Sequence, residues 1–422
     1  MAERELSAEV FKYWVHNYRE GTLRIVTQDG RDVIESMPDG SYPKDTAIAI
    51  SVFDWENWWV MSLTDRNETI ISEVYSPAHD ALKGRPVVYL DQNHWSSLRH
   101  TLTDPTDSDE SRAGRRLMDL AQDGGVTLPL SSAHLGETAA LYDEPRYALG
   151  ITMATLAGGW QMRHPLRVWR QEMAQMIRQR VARPINPSSQ APVITLEPGA
   201  WMSADDVAFD MDPRDIELFQ RALIAPSVTV SMLLDPERID RDPDALRTWT
   251  EIHQRITEEL NRKDLHGDAR RKAAELSIWT YEVRNAKDLI VGLGVSVEEI
   301  EPFRNLREIR KALRPMPMVS RLFELMVQRH TDKNTKWKQN DLTDLLFLCC
   351  AAGYADYVVA ESHTGSQLHQ WRRKNGDTGA SIHTSLAELV EQLDADGVRT
   401  VTERGTSAHA TTVDEDWQTS MK

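Results

Sequence analysis

A short apolar run, Val87 to Leu90, follows a proline and ends directly on an acid, Asp91. An uninterrupted run of this kind is typical of a strand that is buried on both faces. Asp91 then lies at the carboxyl end of the strand, which is the edge where open α/β sheets bind their ligands. The acid has a second interpretation as the N-cap of the following helix, because aspartate is a favoured capping residue.

The segments that follow Asp91 predict an alternation of helices and strands. A helix through Leu98 and a second helix over residues 111–122 precede a strand at residues 126–130. Glu137 lies at the start of the helix after that strand. The order strand, helix, helix, strand, helix is the opening of a parallel α/β sheet.

A second acid-bearing segment lies near the other end of the chain. Asp341 and Asp344 precede an apolar helix over residues 345–352, and a strand at residues 357–360 ends on Glu361. Asp341 and Asp344 are three positions apart, so they share one helix face. These acids also have structural interpretations, since carboxylates favour the first turn of a helix and a glutamate fits the surface after an edge strand.

The two acid-bearing segments are expected to belong to one α/β domain that an insertion interrupts. This domain would span residues 83–402 in two parts, 83–150 and 336–402, and residues 151–335 would form a large, mainly helical insertion. Residues 403–422 are polar and lack hydrophobic periodicity, which is typical of a disordered tail.

Residues 1–82 predict a small β-rich module, because they contain short apolar segments separated by turn signals. The stretch 8–18 within it has helical character. The module carries a cluster of tryptophans, Trp55, Trp58 and Trp59. A small domain needs large side chains for its core, so a core role is favoured over a binding platform. The module remains a candidate surface for a protein partner or a ligand.

Composition limits the classes of function. The 422-residue chain has a formal net charge of −16, which argues against a general nucleic-acid coat protein and restricts any nucleic-acid site to a local basic patch. It contains no apolar run long enough to span a bilayer and no signal-peptide pattern, so we expect a cytoplasmic protein without membrane contact. Self-association is left open. Cys349 and Cys350 are adjacent in an apolar run and are expected to be reduced core thiols.

Five acids occupy comparable positions at the ends of predicted strands or the starts of helices: Asp91, Glu137, Asp341, Asp344 and Glu361. Right-handed crossovers bring the carboxyl ends of parallel strands to one edge of the sheet, so these side chains should gather there. Carboxylates in one cleft repel each other unless a cation compensates their charge. Mg²⁺ or Mn²⁺ would do so, and such ions catalyse phosphodiester hydrolysis. Metal-dependent hydrolysis of nucleic acid is therefore the expected chemistry.

The chain resembles the PIN-like nucleases in three segments, VVYLDQNHW, SSAHLGE and WKQNDLTDLLFLCCAAGYADYVVAES. The resemblance covers roughly residues 86–150 and 336–400. It implies a PIN-like, Rossmann-like parallel sheet sandwiched by helices, with a carboxylate cluster that binds Mg²⁺ or Mn²⁺ and usually cuts RNA. The expected activity is that of an endoribonuclease, with a toxin or phage-defence effector as the biological setting.

The family's four acids are carried over residue by residue. Asp91 resembles the first-strand aspartate and Glu137 the second acid, while Asp341 or Asp344 takes the third position and Glu361 the fourth. Two features depart from the family pattern. The fourth acid is a glutamate where aspartate is commoner, and the helical insertion is far longer than in compact members.

Further side chains near these acids are assigned supporting roles. Asn93 and Ser132 are predicted to orient the acids or water from a second layer of contacts. The predicted contacts to substrate phosphate come from His94, His134, Arg163, Arg167 and Arg170. Each histidine also has a purely structural interpretation, and part of the arginine charge is ordinary solvation.

Two other functions compete with a metal-dependent nuclease. The first is a catalytically silent PIN-like scaffold that binds RNA or protein. The second is a metal-independent ribonuclease using Arg247 and His253, whose spacing resembles the Arg and His pair of helical ribonucleases but arises easily by chance. Dependence on a divalent metal separates the second alternative from the main hypothesis.

Overall fold

The computed structural model describes residues 10–37, 46–74, 82, 84–103, 106–181, 191–197, 199–203, 225–235, 243–300, 305–376 and 378–404. Across these residues the protein is mixed α/β, as expected. Parts of the predicted insertion and residues 405–422 of the predicted tail lie outside the described residues.

The N-terminal segment forms an antiparallel sheet of six strands. They are β1 Phe11–Asn17, β2 Thr22–Thr27, β3 Asp32–Ser36, β4 Ile48–Asp54, β5 Trp59–Thr64 and β6 Thr69–Glu73. Their order in the sheet is β3-β2-β1-β4-β5-β6. The predicted β-rich character is confirmed, whereas the predicted helical character of residues 8–18 is wrong for the part that forms β1. Its aromatic and β-branched content favours a strand, which here pairs with β2 and β4.

Aromatic side chains fill the core of this N-terminal sheet. Trp55 is 4% exposed, and its ring centroid lies 4.3 Å from that of Phe53 and 5.0 Å from that of Trp14. Trp58 is half-buried and packs against the same cluster, with its centroid 6.0 Å from that of Trp55. Trp55 therefore belongs to the core, as the size of the module favours.

A second sheet is parallel and consists of β7 Val88–Leu90, β10 Tyr357–Val359 and β11 Ser381–His383. The order is β11-β10-β7, and Leu90 lies opposite Val359. The strand predicted at residues 126–130 is not a regular strand. It joins this sheet through one parallel bridge, Val87 with Thr127, and continues through a second, Leu130 with Gln161. Pro129 lacks the amide hydrogen that a longer ladder would need at that point.

Helices account for most of the remaining described residues. In chain order they are α1 Gln92–Thr103, α2 Asp109–Gln122, α3 Ser132–Thr138, α4 Asp143–Ala157, α5 Pro165–Arg180, α6 Ala225–Leu234, α7 Pro243–Arg262, α8 Gly267–Asn285, α9 Lys287–Gly292, α10 Val297–Ile300, α11 Leu306–Leu313, α12 Pro317–Thr331, α13 Gln339–Tyr354, α14 Ser362–Asn375 and α15 Leu386–Ala395. Two short strands, β8 Gln161–Met162 and β9 Ile194–Thr195, pair with each other. No helix of the described residues is both long and apolar enough to cross a membrane.

The parallel sheet is buried on both faces. Val88 and Leu90 point into a core that includes residues of α1, α2, α4 and α15. Val87 and Tyr89 point into the opposite core, to which α5, α12 and α13 contribute. All four side chains are at most 3% exposed, as the uninterrupted apolar run predicts. The second core also contains Cys349 and Cys350 as buried free thiols, which confirms that expectation.

Candidate active site at the carboxyl edge of the parallel sheet

Asp91 and Glu361 follow two adjacent parallel strands, β7 and β10. The Asp91 amide donates a hydrogen bond of 2.9 Å to the Val359 carbonyl, which ties the ends of the two strands together. After β7 the chain continues to residues 126–130 on one side, and after β10 it continues to β11 on the other side. Such a reversal is a topological switch point, and open α/β sheets form their binding crevices at the carboxyl ends of the strands there.

Asp91 is both a helix cap and a member of the acid group. Its Oδ1 accepts a hydrogen bond of 2.9 Å from the Gln92 amide at the start of α1. Burial raises the pKa of the Asp91 carboxyl, the Gln92 amide opposes this shift, and the nearby charge of Glu361 adds to it. The two interpretations of Asp91 therefore do not exclude each other, because one carboxylate oxygen caps the helix.

Asp344 lies where the negative charges converge. It is half-buried in the first turns of α13, and its pKa is raised to about 7. Burial is the largest cause, followed by the charges of Asp91, Glu137, Glu361 and Asp341. These acids come from four separate segments of the chain. Asp344 is therefore within electrostatic reach of the other four acids.

Asp341 shares the helix with Asp344 but has partners of its own. Its Oδ2 accepts from Arg329 Nη2 at 2.7 Å and from the Lys338 amide at 3.2 Å. The Asp341 carboxylate therefore caps α13 and pairs with the end of α12. Of the two acids, Asp344 is the one whose charged neighbours are carboxylates, so Asp344 is the stronger candidate for the cluster.

Asn93 and Glu361 form a direct contact across the switch point. The Asn93 amide nitrogen donates to Glu361 Oε1, although the two residues are 268 positions apart in the chain. Both side chains are exposed. The contact fixes one oxygen of Glu361, so Asn93 occupies the supporting position that the sequence assigns to it.

His134 lies inside the protein beneath the acids. It is 1% exposed, its Nε2 donates to the Leu90 carbonyl at 2.8 Å, and its Nδ1 accepts from the Ser131 amide at 3.1 Å. Burial lowers the pKa of His134 to about 4. A neutral imidazole with both nitrogens used holds the start of α3 against the end of β7. His134 thus positions Glu137, whose helix it anchors, instead of facing phosphate.

Ser132 and His94 flank the cluster in different ways. Ser132 Oγ is buried and has no hydrogen-bond partner among the described residues, so it is available to a ligand. His94 is buried in α1, and burial lowers its pKa, while the charges of Asp91 and Glu110 oppose that shift. A neutral His94 packs beside Asp91 without neutralising it.

The three predicted phosphate-binding arginines do not share a surface. Arg163 is 2% exposed, pairs with Glu197 and donates to the Pro192 carbonyl at 3.0 Å, so its guanidinium is part of the interior. Arg167 is half-buried and donates to the Gly199 carbonyl at 3.2 Å. Arg170 is the exposed member of the three and lines a cavity next to α3.

Arg247 and His253, the alternative pair, are separated by burial. His253 is 0% exposed and its Nδ1 lies 3.0 Å from His330 Nε2, while Arg247 is exposed and lies 3.9 Å from Glu251. Burial lowers the pKa of His253 to about 3. A general base must reach the proton it abstracts, which this imidazole does not do.

The acids form an electrostatic group without the close approach of a loaded metal site. Within the described residues, no three side chains of His, Cys, Asp or Glu lie close enough together to hold a metal ion. The donor set itself fits a hard divalent ion, because Asp91, Glu137, Asp344 and Glu361 offer only carboxylate oxygens.

The fold defines a mixed α/β protein in which two acids, Asp91 and Glu361, follow adjacent strands of a three-stranded parallel sheet. No protein-family model matches the chain, and comparisons with curated proteins and with solved structures find no significant similarity. The residues of the crevice are therefore the basis for assigning a function.

The sequence did not decide whether Asp341 or Asp344 takes the third acid position. Arg329, the residue whose ion pair distinguishes the two acids, was not predicted. Arg329 lies in the last turn of α12, in front of the loop to α13. A basic residue in that position is a detectable signal, because it can reach the first turn of the next helix.

Proposed function

We propose that this protein is a divalent-metal-dependent endonuclease of PIN-like architecture that hydrolyses phosphodiester bonds, with RNA as its substrate. The observation that carries the proposal is the position of Asp91 and Glu361 at the ends of two adjacent parallel strands, where Asn93 contacts Glu361 and the charges of both acids raise the pKa of Asp344. Burial of a carboxyl group near other carboxylates costs stability, and carboxyl groups perturbed in this way are concentrated at functional sites.

The proposed ligands of the metal are Asp91, Glu137, Asp344 and Glu361. When bound, Mg²⁺ or Mn²⁺ would stabilise negative charge on the oxygens of the phosphodiester and favour attack by water. The remaining tasks fall to the chain itself. Asn93 holds one oxygen of Glu361 in place, and His134 fixes α3 relative to β7. Asp341 pairs with Arg329 of α12 and takes no part in the proposed metal site.

The order of the extended segments also supports a PIN-like arrangement. Through the two parallel bridges, the sequence of neighbours is β8, residues 126–130, β7, β10 and β11. Numbered along the chain this is 3-2-1-4-5, the strand order of doubly wound α/β proteins, which bind ligands between strands 1 and 4. Asp91 and Glu361 follow those two strands.

The experiment compares cleavage of a mixture of labelled single-stranded RNA and DNA in Mg²⁺, Mn²⁺ or EDTA. We expect RNA cleavage that EDTA abolishes and that falls at least about 100-fold in Asp91→Asn and Asp344→Asn. Asp341→Asn is the matched control, because it removes an acid from the same helix face and should retain most activity. Full activity in Asp344→Asn would refute the assignment, and an inactive wild-type protein that binds RNA would favour the silent scaffold.

A further inference from the structure

A large cavity lies directly beside the acids. Its volume is about 590 Å³, within the range of roughly 300–1,000 Å³ typical of small-molecule sites. Its lining includes Ser132 and Gly136 of α3, next to Glu137, and Thr343 of α13, next to Asp344. The opposite lining comes from helices of the insertion, α5, α7 and α8. The carboxylates of the proposed metal site are not part of the lining, and the cavity lies between residues that neighbour them in the sequence and the helices of the insertion.

Five large aromatic side chains line this cavity, together with aliphatic residues such as Leu135, Leu246 and Leu322. The aromatic residues are Trp169 on α5, Trp201, Trp249 on α7, Tyr281 on α8 and Phe347 on α13. Flat aromatic surfaces that line one cavity suit a planar ring system, and nucleobases stack on such surfaces in proteins that bind single strands. An aliphatic ligand would use the same area but would leave the polar groups of the cavity unpaired.

The polar groups of the cavity favour a ring that donates hydrogen bonds. Glu282 is half-buried and accepts a hydrogen bond from the Trp169 indole, and Asn285 lies one helical turn further along α8. The buried Ser132 Oγ has no partner among the described residues. Burial raises the pKa of Glu282 to about 7, so its carboxylate is poorly compensated. An amino group on a ligand would supply a donor for it.

We propose that this cavity binds one unstacked nucleobase that carries an exocyclic amino group, held by stacking on the aromatic walls and by a hydrogen bond from that amino group to Glu282. If the base belongs to the substrate strand, the inference rests on the proposed nuclease function. Arg170, the exposed arginine of the lining, would then face the phosphates of that strand. A free nucleotide offers the same base chemistry. Uracil offers only its ring N3–H, between two carbonyl oxygens that the Glu282 carboxylate repels, and is disfavoured. Inorganic phosphate alone is disfavoured by the carboxylate.

The test measures equilibrium binding in EDTA, so that no metal-dependent cleavage takes part. Fluorescence anisotropy compares labelled oligoadenylate and oligocytidylate with oligouridylate, and tryptophan quenching compares AMP with UMP on the full chain. We expect the amino-bearing ligands to bind about tenfold more tightly than the uridine ligands. Glu282→Gln keeps an oxygen for the Trp169 indole but removes the carboxylate, and it should reduce the preference to less than about threefold. Glu251→Gln, an exposed site on α7, is the matched control and should leave the preference unchanged.

Each outcome decides the inference. A preference for amino-bearing bases among both oligonucleotides and mononucleotides supports a site open to free nucleotides. The same preference among oligonucleotides alone supports a site for the substrate strand. Equal binding of all ligands, or a preference that survives in Glu282→Gln, would overturn it. Loss of cleavage activity is a separate result: a wild-type chain that prefers adenine in EDTA yet cuts nothing in Mn²⁺ contradicts the nuclease proposal and leaves the base site intact.

Discussion

Asp344→Asn should make the protein more stable while it removes the proposed metal site. The pKa of the Asp344 carboxyl is raised from 3.8 to about 7 in the folded protein. Between these two pH values the folded state binds more protons than the unfolded state, so stability falls as the pH rises through about 7. At about 1.36 kcal/mol per pKa unit, the full cost is at most about 4 kcal/mol. Because Asp344 is half-buried and solvent screens its neighbours' charges, we expect a gain of about 1–2 kcal/mol.

The assay is thermal unfolding of wild type and Asp344→Asn at pH 5 and pH 8, with and without Mn²⁺. Without metal, the variant should unfold at a temperature higher by about 1–4 °C at pH 8, and by less at pH 5. Mn²⁺ should raise the unfolding temperature of the wild type, because a ligand of the folded state stabilises it. The variant should lose most of that response. Asp341→Asn should behave in the opposite way, with lower stability from the lost Arg329 ion pair and a retained response to Mn²⁺.

Two results would refute this reasoning. If Asp344→Asn is less stable than the wild type at pH 8, its carboxylate makes favourable contacts that outweigh the repulsion of its neighbours. If Mn²⁺ stabilises both proteins equally, Asp344 is not one of the metal ligands, even if the protein proves to be a nuclease.

Three further predictions concern the surroundings of the acids. Asn93→Ala releases Glu361 and should lower RNA cleavage by about 10-fold, measured as kcat/KM, with little change in unfolding temperature. His253→Ala removes a fully buried side chain and should destabilise the protein by about 2–4 kcal/mol, while the remaining folded protein keeps EDTA-sensitive cleavage; cleavage that resists EDTA would contradict this. Burial lowers the pKa of five histidines to about 4 or below. Their stabilising contribution is present above pH 6.5 and is lost on acidification. The free energy of unfolding, followed by circular dichroism, should therefore fall steeply between pH 6.5 and 4.

The buried strand and the acid at its end could be predicted because both follow from local pattern. An uninterrupted apolar run such as Val87 to Leu90 needs two covering layers, and α/β topology leaves its carboxyl end at a crevice. The same logic located Glu361 after β10. The choice between Asp341 and Asp344 could not be made in this way, since both lie on one face of α13 and only the contact with Arg329 on α12 separates them.

Other features depend on contacts between distant segments and have no local signal. Residues 8–18 have a helical pattern, but Phe11–Asn17 form β1, which pairs with β2 on one edge and β4 on the other. Tertiary contacts here outweigh local propensity. The arginines at positions 163, 167 and 170 look alike in the sequence. Arg163 is nevertheless buried against Glu197, while Arg170 is exposed. Burial of a charge is decided by the partner that the fold supplies.

The placement of the insertion links the two proposals. The chain leaves the α/β layers after β8, builds α5 to α12, and returns through α13, which carries Asp344. Any helix pair that packs over the carboxyl edge at that point adds side chains next to the acids, and here Trp169, Trp249 and Tyr281 line the neighbouring cavity. In the proposed nuclease, the carboxylates and the metal would recognise only the phosphodiester, which is the same at every position of a strand. If both proposals hold, discrimination between bases would come from the insertion, because its aromatic rings and Glu282 are the groups that a base would contact.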